Sequence, residues 1–155
     1  LRIVAMVKTK GVKAFVVGKE NNMSYYQNLS KKLNINNQIF FTGPRTDVND
    51  FYTISDIFLF PTHYDPFSNV VLEAMYFENA VFTTRSNGAS EILDPDFIMN
   101  SPYDKKVATS IDNLLSNIIT LNEVKIRNKK ISKQFPIEKN LKKTLDVINK
   151  IEKSF

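Results

Sequence analysis

The chain has 155 residues, 43% hydrophobic and 24% charged, values that suit one folded domain and exclude a disordered chain. It contains no Cys and one His, which excludes a disulfide scaffold, a thiolate nucleophile, a Cys-ligated zinc and a His-rich metal site. The net charge of +5, supplied mostly by Lys, fits solubility or contact with an anionic membrane surface, and the lack of a dense Arg patch argues against nucleic acid.

Leu1 to Met6 reads as the middle of a helix without an initiator Met, so the expectation is a fragment whose true start lies upstream. Val12–Gly18 reads as a buried strand ending in Gly, and Asn22–Leu33 as a helix with Tyr25, Tyr26, Leu29 and Leu33 at helical spacing. Gln38–Thr42 is the next strand, closed by Gly43-Pro44, and Asp47–Thr53 a short helix with Asp47 as its cap. The Tyr and Phe residues from Tyr25 to Tyr52 read as core. Asp56–Phe60 is a third strand, Asn69–Phe77 a helix, and Ala80–Thr84 a fourth strand. Asn87-Gly88 marks a turn, Glu91–Leu93 a short helical turn, and Phe97–Met99 a brief last strand. Two helices then follow, Asp104–Leu121 and Glu123–Gln134, a break at Phe135-Pro136, and a Lys-rich helix over Glu138–Lys153.

Near-continuous apolar strands alternating with helices predict an α/β fold, a doubly wound, Rossmann-like parallel sheet with helices on both faces. Residues 1–103 would form the nucleotide-binding core, and 104–155 a helical tail packed on the same domain. Such sheets bind ligands at the carboxyl ends of their strands. The segment from Phe60 to Met75 places a strand end, a polar loop and a helix start there, and the free N–H groups of that helix start suit a diphosphate. Asp65 and Glu73, eight positions apart, flank this start and could accept hydrogen bonds from different parts of one ligand. Plainer readings stand beside these. Ser68 and Asn69 are ordinary cap types, Asp65 suits a turn before Pro66, and Glu73 and Arg45 could be solvated. Glu91 suits a helix start, and His63 reads as a loop residue lining the cleft without a proton-transfer role.

Asp65-x7-Glu73, followed by Ala74-Met75, resembles the paired-acid motif of retaining GT-B glycosyltransferases of the group 1 type. Phe15–Gly18, Ile39–Gly43, Phe51–Thr62 and Asn87–Ile92 resemble that family's flanking segments in the same order, over about residues 12 to 93. The wording Asp-Pro-Phe-Ser-Asn-Val-Val-Leu-Glu-Ala-Met is similar to lipopolysaccharide-core glucosyltransferases. The resemblance implies that Asp65 contacts the donor sugar and Glu73 the ribose, as the catalytic pair. It implies that Phe67, Ser68, Asn69, Val70 and Val71 hold the diphosphate and sugar, and that Pro44 and Arg45 lie beside the base. His63, Asn87, Gly88 and Glu91 would line the cleft wall.

By the same resemblance the substrate is a nucleotide sugar such as UDP-glucose, no metal cofactor is needed, and an upstream acceptor-binding domain completes the enzyme. The diphosphate-neutralising Arg and Lys are expected upstream too, and neither Lys8 nor Lys10 is assigned to that pair. The location implied is cytoplasmic, and the fragment alone is expected to be inactive. The Lys-rich last helix reads first as a solvated face whose apolar side packs back on the domain, and second, from its charge, as a peripheral contact with the inner face of an anionic membrane. Two departures are read as tolerable: Asn79 and Asn87 replace family glycines, and Asn can adopt the left-handed conformation. Two other functions remain open, a non-catalytic nucleotide-sugar-binding module and a GT-B-fold sugar-nucleotide epimerase. The second would need more catalytic acids and His residues than His63 supplies.

Overall fold

Every strand pairing in the computed structural model, which describes residues 1–152, is parallel. The elements run β1 (Ala14–Val17), α1 (Met23–Lys32), β2 (Ile39–Gly43), α2 (Val48–Ile54), β3 (Ile57–Phe60), α3 (Asn69–Tyr76) and β4 (Ala80–Thr84). They continue with β5 (Ile98–Met99), α4 (Lys106–Ser116), α5 (Ile118–Ser132) and α6 (Ile137–Glu152). Short 3-10 turns cover Val4–Met6, Gly88–Ile92 and Pro95–Phe97. Hydrogen bonding divides the strands into two ladders, β1 with β2, and β3-β4-β5 with β4 in the middle. Helix α2 reaches both: Phe51 packs its ring 5.5 Å from Phe15 of β1, and Tyr52 packs 5.6 Å from Phe58 of β3.

Side-chain alternation along the strands builds a core on each sheet face. Ala80 and Phe82 of β4, with Ile57 and Leu59 of β3, pack among Ile3, Phe97, Met99, Val107, Ile111, Leu114, Leu121 and Val124. Val81, with Phe58 and Phe60, faces the opposite way, among Tyr52, Val71, Ala74, Met75, Ala89 and Leu93. This two-sided burial is why the strands read as unbroken apolar runs. Helix α3 is held because Val71, Ala74 and Met75 fall on one helical face and are all buried.

Several expectations are corrected. The start of the chain is a 3-10 turn at Val4–Met6. The first tail helix ends at Ser116, because the Asn117 side chain accepts from the Thr120 N–H and so starts α5 there. Lys153, expected in the last helix, lies outside the described residues. Glu78, not Asn79, takes the left-handed conformation after α3, at φ 60. Asn79 is instead fully buried, its amide donating to the Tyr52, Ala74 and Phe77 carbonyls. Lys129 of α5 lies 2.5 Å from the Glu78 carboxylate. Tyr25 is 52% exposed and packs edge-on against Tyr26, so the Tyr and Phe series is not uniformly core.

The N-terminal segment is pinned to α4 by one carboxylate. Asp112 accepts from the Thr9 hydroxyl at 2.7 Å and from the N–H groups of Lys8 and Thr9 at 2.9 and 2.8 Å. The Thr9 hydroxyl first, then those N–H groups, hold its carboxyl below the usual range. A depressed native value contributes stability that is present above the ordinary carboxylate pKa, about 4, and is lost as pH falls through the native value. Asp112→Ala is therefore expected to lower the urea midpoint clearly at pH 7 and progressively less below pH 4. A deficit that is the same at both pH values would refute this role.

Candidate functional site

The carboxyl ends of β3 and β4 open into two loops that are stitched together. The Asp65 N–H donates to the Ser86 carbonyl at 3.2 Å, and the Gly88 N–H donates to the Asp65 carbonyl at 2.9 Å. These bonds form an isolated parallel bridge between Asp65 and Asn87. A side chain at Gly88 has no room, since a Cβ there would stand 1.9 Å from the Pro66 carbonyl oxygen. Gly88 serves close approach and not a left-handed turn, as it is absent from the positive-φ glycines. Asn87 is extended, at φ −95, so the left-handed reading of this position is also corrected.

Beyond this bridge, α3 begins. Ser68 is its N-cap residue and is buried, but its hydroxyl makes no cap hydrogen bond. The Phe67 N–H goes to Asp65 Oδ1 at 3.1 Å, the Ser68 N–H to Asn87 Oδ1 at 3.3 Å, and the Val71 N–H to the Ser68 carbonyl at 3.1 Å. The N–H groups of Asn69 and Val70 have no hydrogen-bond partner among the described residues and stand at the positive end of the helix dipole. Asp65 precedes this first turn in the chain and Glu73 follows it. One oxygen of Asp65 is drawn into its own loop by the Phe67 N–H.

Glu73 faces α2, where its Oε2 accepts from the Tyr52 hydroxyl at 3.2 Å. Burial first, then the Glu73 carboxylate, push the Tyr52 hydroxyl well above its ordinary pKa, so it remains a donor. Tyr52 reads as simple core in the sequence, and nothing in its spacing signals this bond. Glu73 also lines an open groove of about 390 Å³ with Leu72, Tyr76, Phe77 and Phe135. The larger groove, about 560 Å³ between α4, α5 and the Pro95–Phe97 turn, contains none of the expected site residues.

The remaining expected residues are dispersed around it. Pro44 and Arg45 follow β2 and are exposed. Arg45 is held by Asp47, Nε to Oδ1 at 2.7 Å and Nη2 to Oδ2 at 2.5 Å, and its guanidinium sits 5.8 Å from the Phe51 ring centroid. Asp47 therefore stands at the N-cap position of α2 without capping it, a correction to its expected role. His63 lies at the mouth, its Nε2 3.5 Å from the Tyr103 hydroxyl. Glu91 is exposed in the first turn of Gly88–Ile92. Asn87 is fully buried, so it forms the wall from behind and does not face the cleft. Among the described residues no group of three or more His, Cys, Asp or Glu stands where it could hold a metal ion.

Residues 1–132 match the family described as glycosyl transferases group 1. A capsular polysaccharide biosynthesis glycosyltransferase, CapM of Staphylococcus aureus, is 33% identical over 75 residues, which is 46% of this chain and 20% of CapM. Among solved structures, Anabaena Alr3699/HepE in complex with UDP-glucose superposes with a TM-score of 0.84 at 19% identity, over 96% of this chain and 43% of that one. WaaG, a glycosyltransferase involved in lipopolysaccharide biosynthesis, superposes at 0.80 and 18% identity, over 94% and 41%. At these identities the two superpositions speak for the fold. The chain spans less than half the length of each of these relatives.

Proposed function

The chain belongs to the group 1 glycosyltransferases, and from that premise we propose that it is the donor-binding half of a retaining GT-B enzyme. The reaction in this reading transfers a hexose, glucose from UDP-glucose, to a cell-envelope glycan such as lipopolysaccharide core. The observation that carries it is the first turn of α3, where the Asn69 and Val70 N–H groups stand free, with Asp65 in the loop before them and Glu73 further along the helix. Two N–H donors at a helix start, beside two carboxylates, match a ligand that combines a diphosphate with sugar hydroxyls. That Alr3699/HepE holds UDP-glucose on the same fold supports the choice of donor.

In the reaction, the bond between the anomeric carbon and the diphosphate oxygen breaks, and its electron pair leaves with the diphosphate. The acceptor hydroxyl oxygen bonds to the same carbon and its proton passes to the leaving phosphate. The contribution of this half is electrostatic, fixed N–H donors facing the charge that grows on the leaving group. Asp65 orients the donor sugar, Glu73 the ribose, and Pro44 and Arg45 border the base. No metal takes part in this reading. The acceptor domain is supplied by the rest of the protein, in the cytoplasm. Leu141, Leu145, Ile148 and Ile151 of α6 remain exposed and are left for that domain or for the membrane surface.

Calorimetric titration of the intact protein with UDP, ADP and UDP-glucose tests the reading. A hydrogen bond to a charged group contributes about 1.5–3 kcal/mol, so Glu73→Ala is expected to weaken nucleotide binding by about 10- to 150-fold. Absence of nucleotide binding, or equal binding by the variant, would sink the assignment.

A further inference from the structure

The residue family resemblance treats as a turn glycine is here Asn87, and its side chain does something a glycine cannot. Its Oδ1 accepts from the Ser68 N–H at 3.3 Å and from the Ala89 N–H at 3.0 Å. Its Nδ2 donates to Thr83 Oγ1 at 3.0 Å, and the Thr83 hydroxyl donates to the Phe60 carbonyl at 3.0 Å. Next to it, the Thr84 hydroxyl donates to the Thr62 carbonyl at 2.8 Å. Asn87, Thr83 and Thr84 are each fully buried. One carboxamide thus joins the end of β4, the turn after it and the N-terminus of α3, and reaches β3 through the Thr83 hydroxyl.

We propose that Asn87 is a positioning residue for the donor, a buried clamp that sets which backbone N–H groups of α3 the ligand meets. The proposal rests on the donor-site reading given above. A helix start carries several N–H groups without intrahelical partners, and here the N-cap hydroxyl supplies none of the compensation. Asn87 takes the Ser68 N–H out of that set, while Asp65 takes that of Phe67. What remains is the adjacent pair at Asn69 and Val70, aimed by a loop that cannot shift without breaking the clamp. Donors fixed in advance need no reorganisation when charge develops, which is where their advantage lies. Because the amide is fully buried, its partners have no water to fall back on when it is removed.

The test uses the intact protein with Asn87→Ala, and Leu114→Ala, in the α4 core layer, as a destabilised control away from the clamp. Amide exchange is followed at Ser68 and Ala89, and UDP affinity by calorimetry. Exchange at both amides is expected to rise at least about tenfold in Asn87→Ala, with UDP binding weakened about tenfold, as the loss of a buried partner predicts. Leu114→Ala should lower the melting temperature yet leave UDP affinity within about twofold, since α4 packs against α5 and shares no partner with the clamp. Should the Ala variant not fold, Asn87→Asp keeps the acceptor oxygen, and Ser68 and Ala89 must then stay protected. UDP affinity unchanged in Asn87→Ala, or fast exchange at those amides in Asn87→Asp, overturns the clamp. A wild-type protein that binds neither UDP nor UDP-glucose instead sinks the donor-site reading, and the positioning role with it.

Discussion

Gly88→Ala is expected to destabilise the protein by about 2–4 kcal/mol and to weaken nucleotide binding at least about tenfold. The reason is space. The added Cβ would lie 1.9 Å from the Pro66 carbonyl oxygen and 2.9 Å from its carbon, both backbone atoms that no rotamer change can move. To admit a methyl group, the loop before α3 must separate from the turn after β4. That separation breaks the Gly88 to Asp65 and Asp65 to Ser86 hydrogen bonds. Each such bond contributes about 1 kcal/mol net, and leaving its groups unpaired away from water costs more. The same movement carries Asp65 and Phe67 out of place, so affinity and stability fall together. Urea unfolding and calorimetry on one preparation check both, and wild-type values for either would show that the loop can yield.

The second large effect is at the opposite face of β4. Phe82 is 1% exposed, its ring 5.1 Å from that of Phe97, in the central strand of its ladder. Phe82→Ala removes most of a buried ring between β4 and the α4–α5 layer, and is expected to cost about 3–5 kcal/mol. For a chain of this size that corresponds to a fall in melting temperature of roughly 6–20 °C. A fall of only a degree or two would mean that Val107, Leu114 and Val124 close the space, contrary to the close-packed core described above.

Much of the architecture was legible because burial imposes a period on sequence. The apolar runs around Phe15, Phe41, Phe58 and Phe82 all became strands, and α3 was anticipated to within a residue at its C-terminal end. The strand end, loop and helix start around Asp65 were legible for the same reason, with β3 ending at Phe60 and α3 starting at Asn69. Their wiring was not. Asn87 to Ser68 and Tyr52 to Glu73 join residues 19 and 21 positions apart, and such partnerships depend on how elements pack, which periodicity does not encode. The break at Asn117 was missed because Ile118 and Leu121 extend the helical spacing straight through it. Glu78 in place of Asn79 was missed because intrinsic preference for the left-handed region was overruled by the three carbonyls that Asn79 satisfies.

The division of the strands into two ladders has an energetic consequence. Between Gly11 and Thr46 only Ser30, Ile35 and Ile39 are buried, whereas β4 is buried along its whole length. Within these residues alone, the β1–α1–β2 segment therefore has less burial to resist opening than the β3-β4-β5 core. In the donor-site reading, a nucleotide touches the Gly43–Arg45 turn of the weaker unit and the α3 start of the stronger one. Part of its binding energy is then spent on suppressing local opening of the weaker segment.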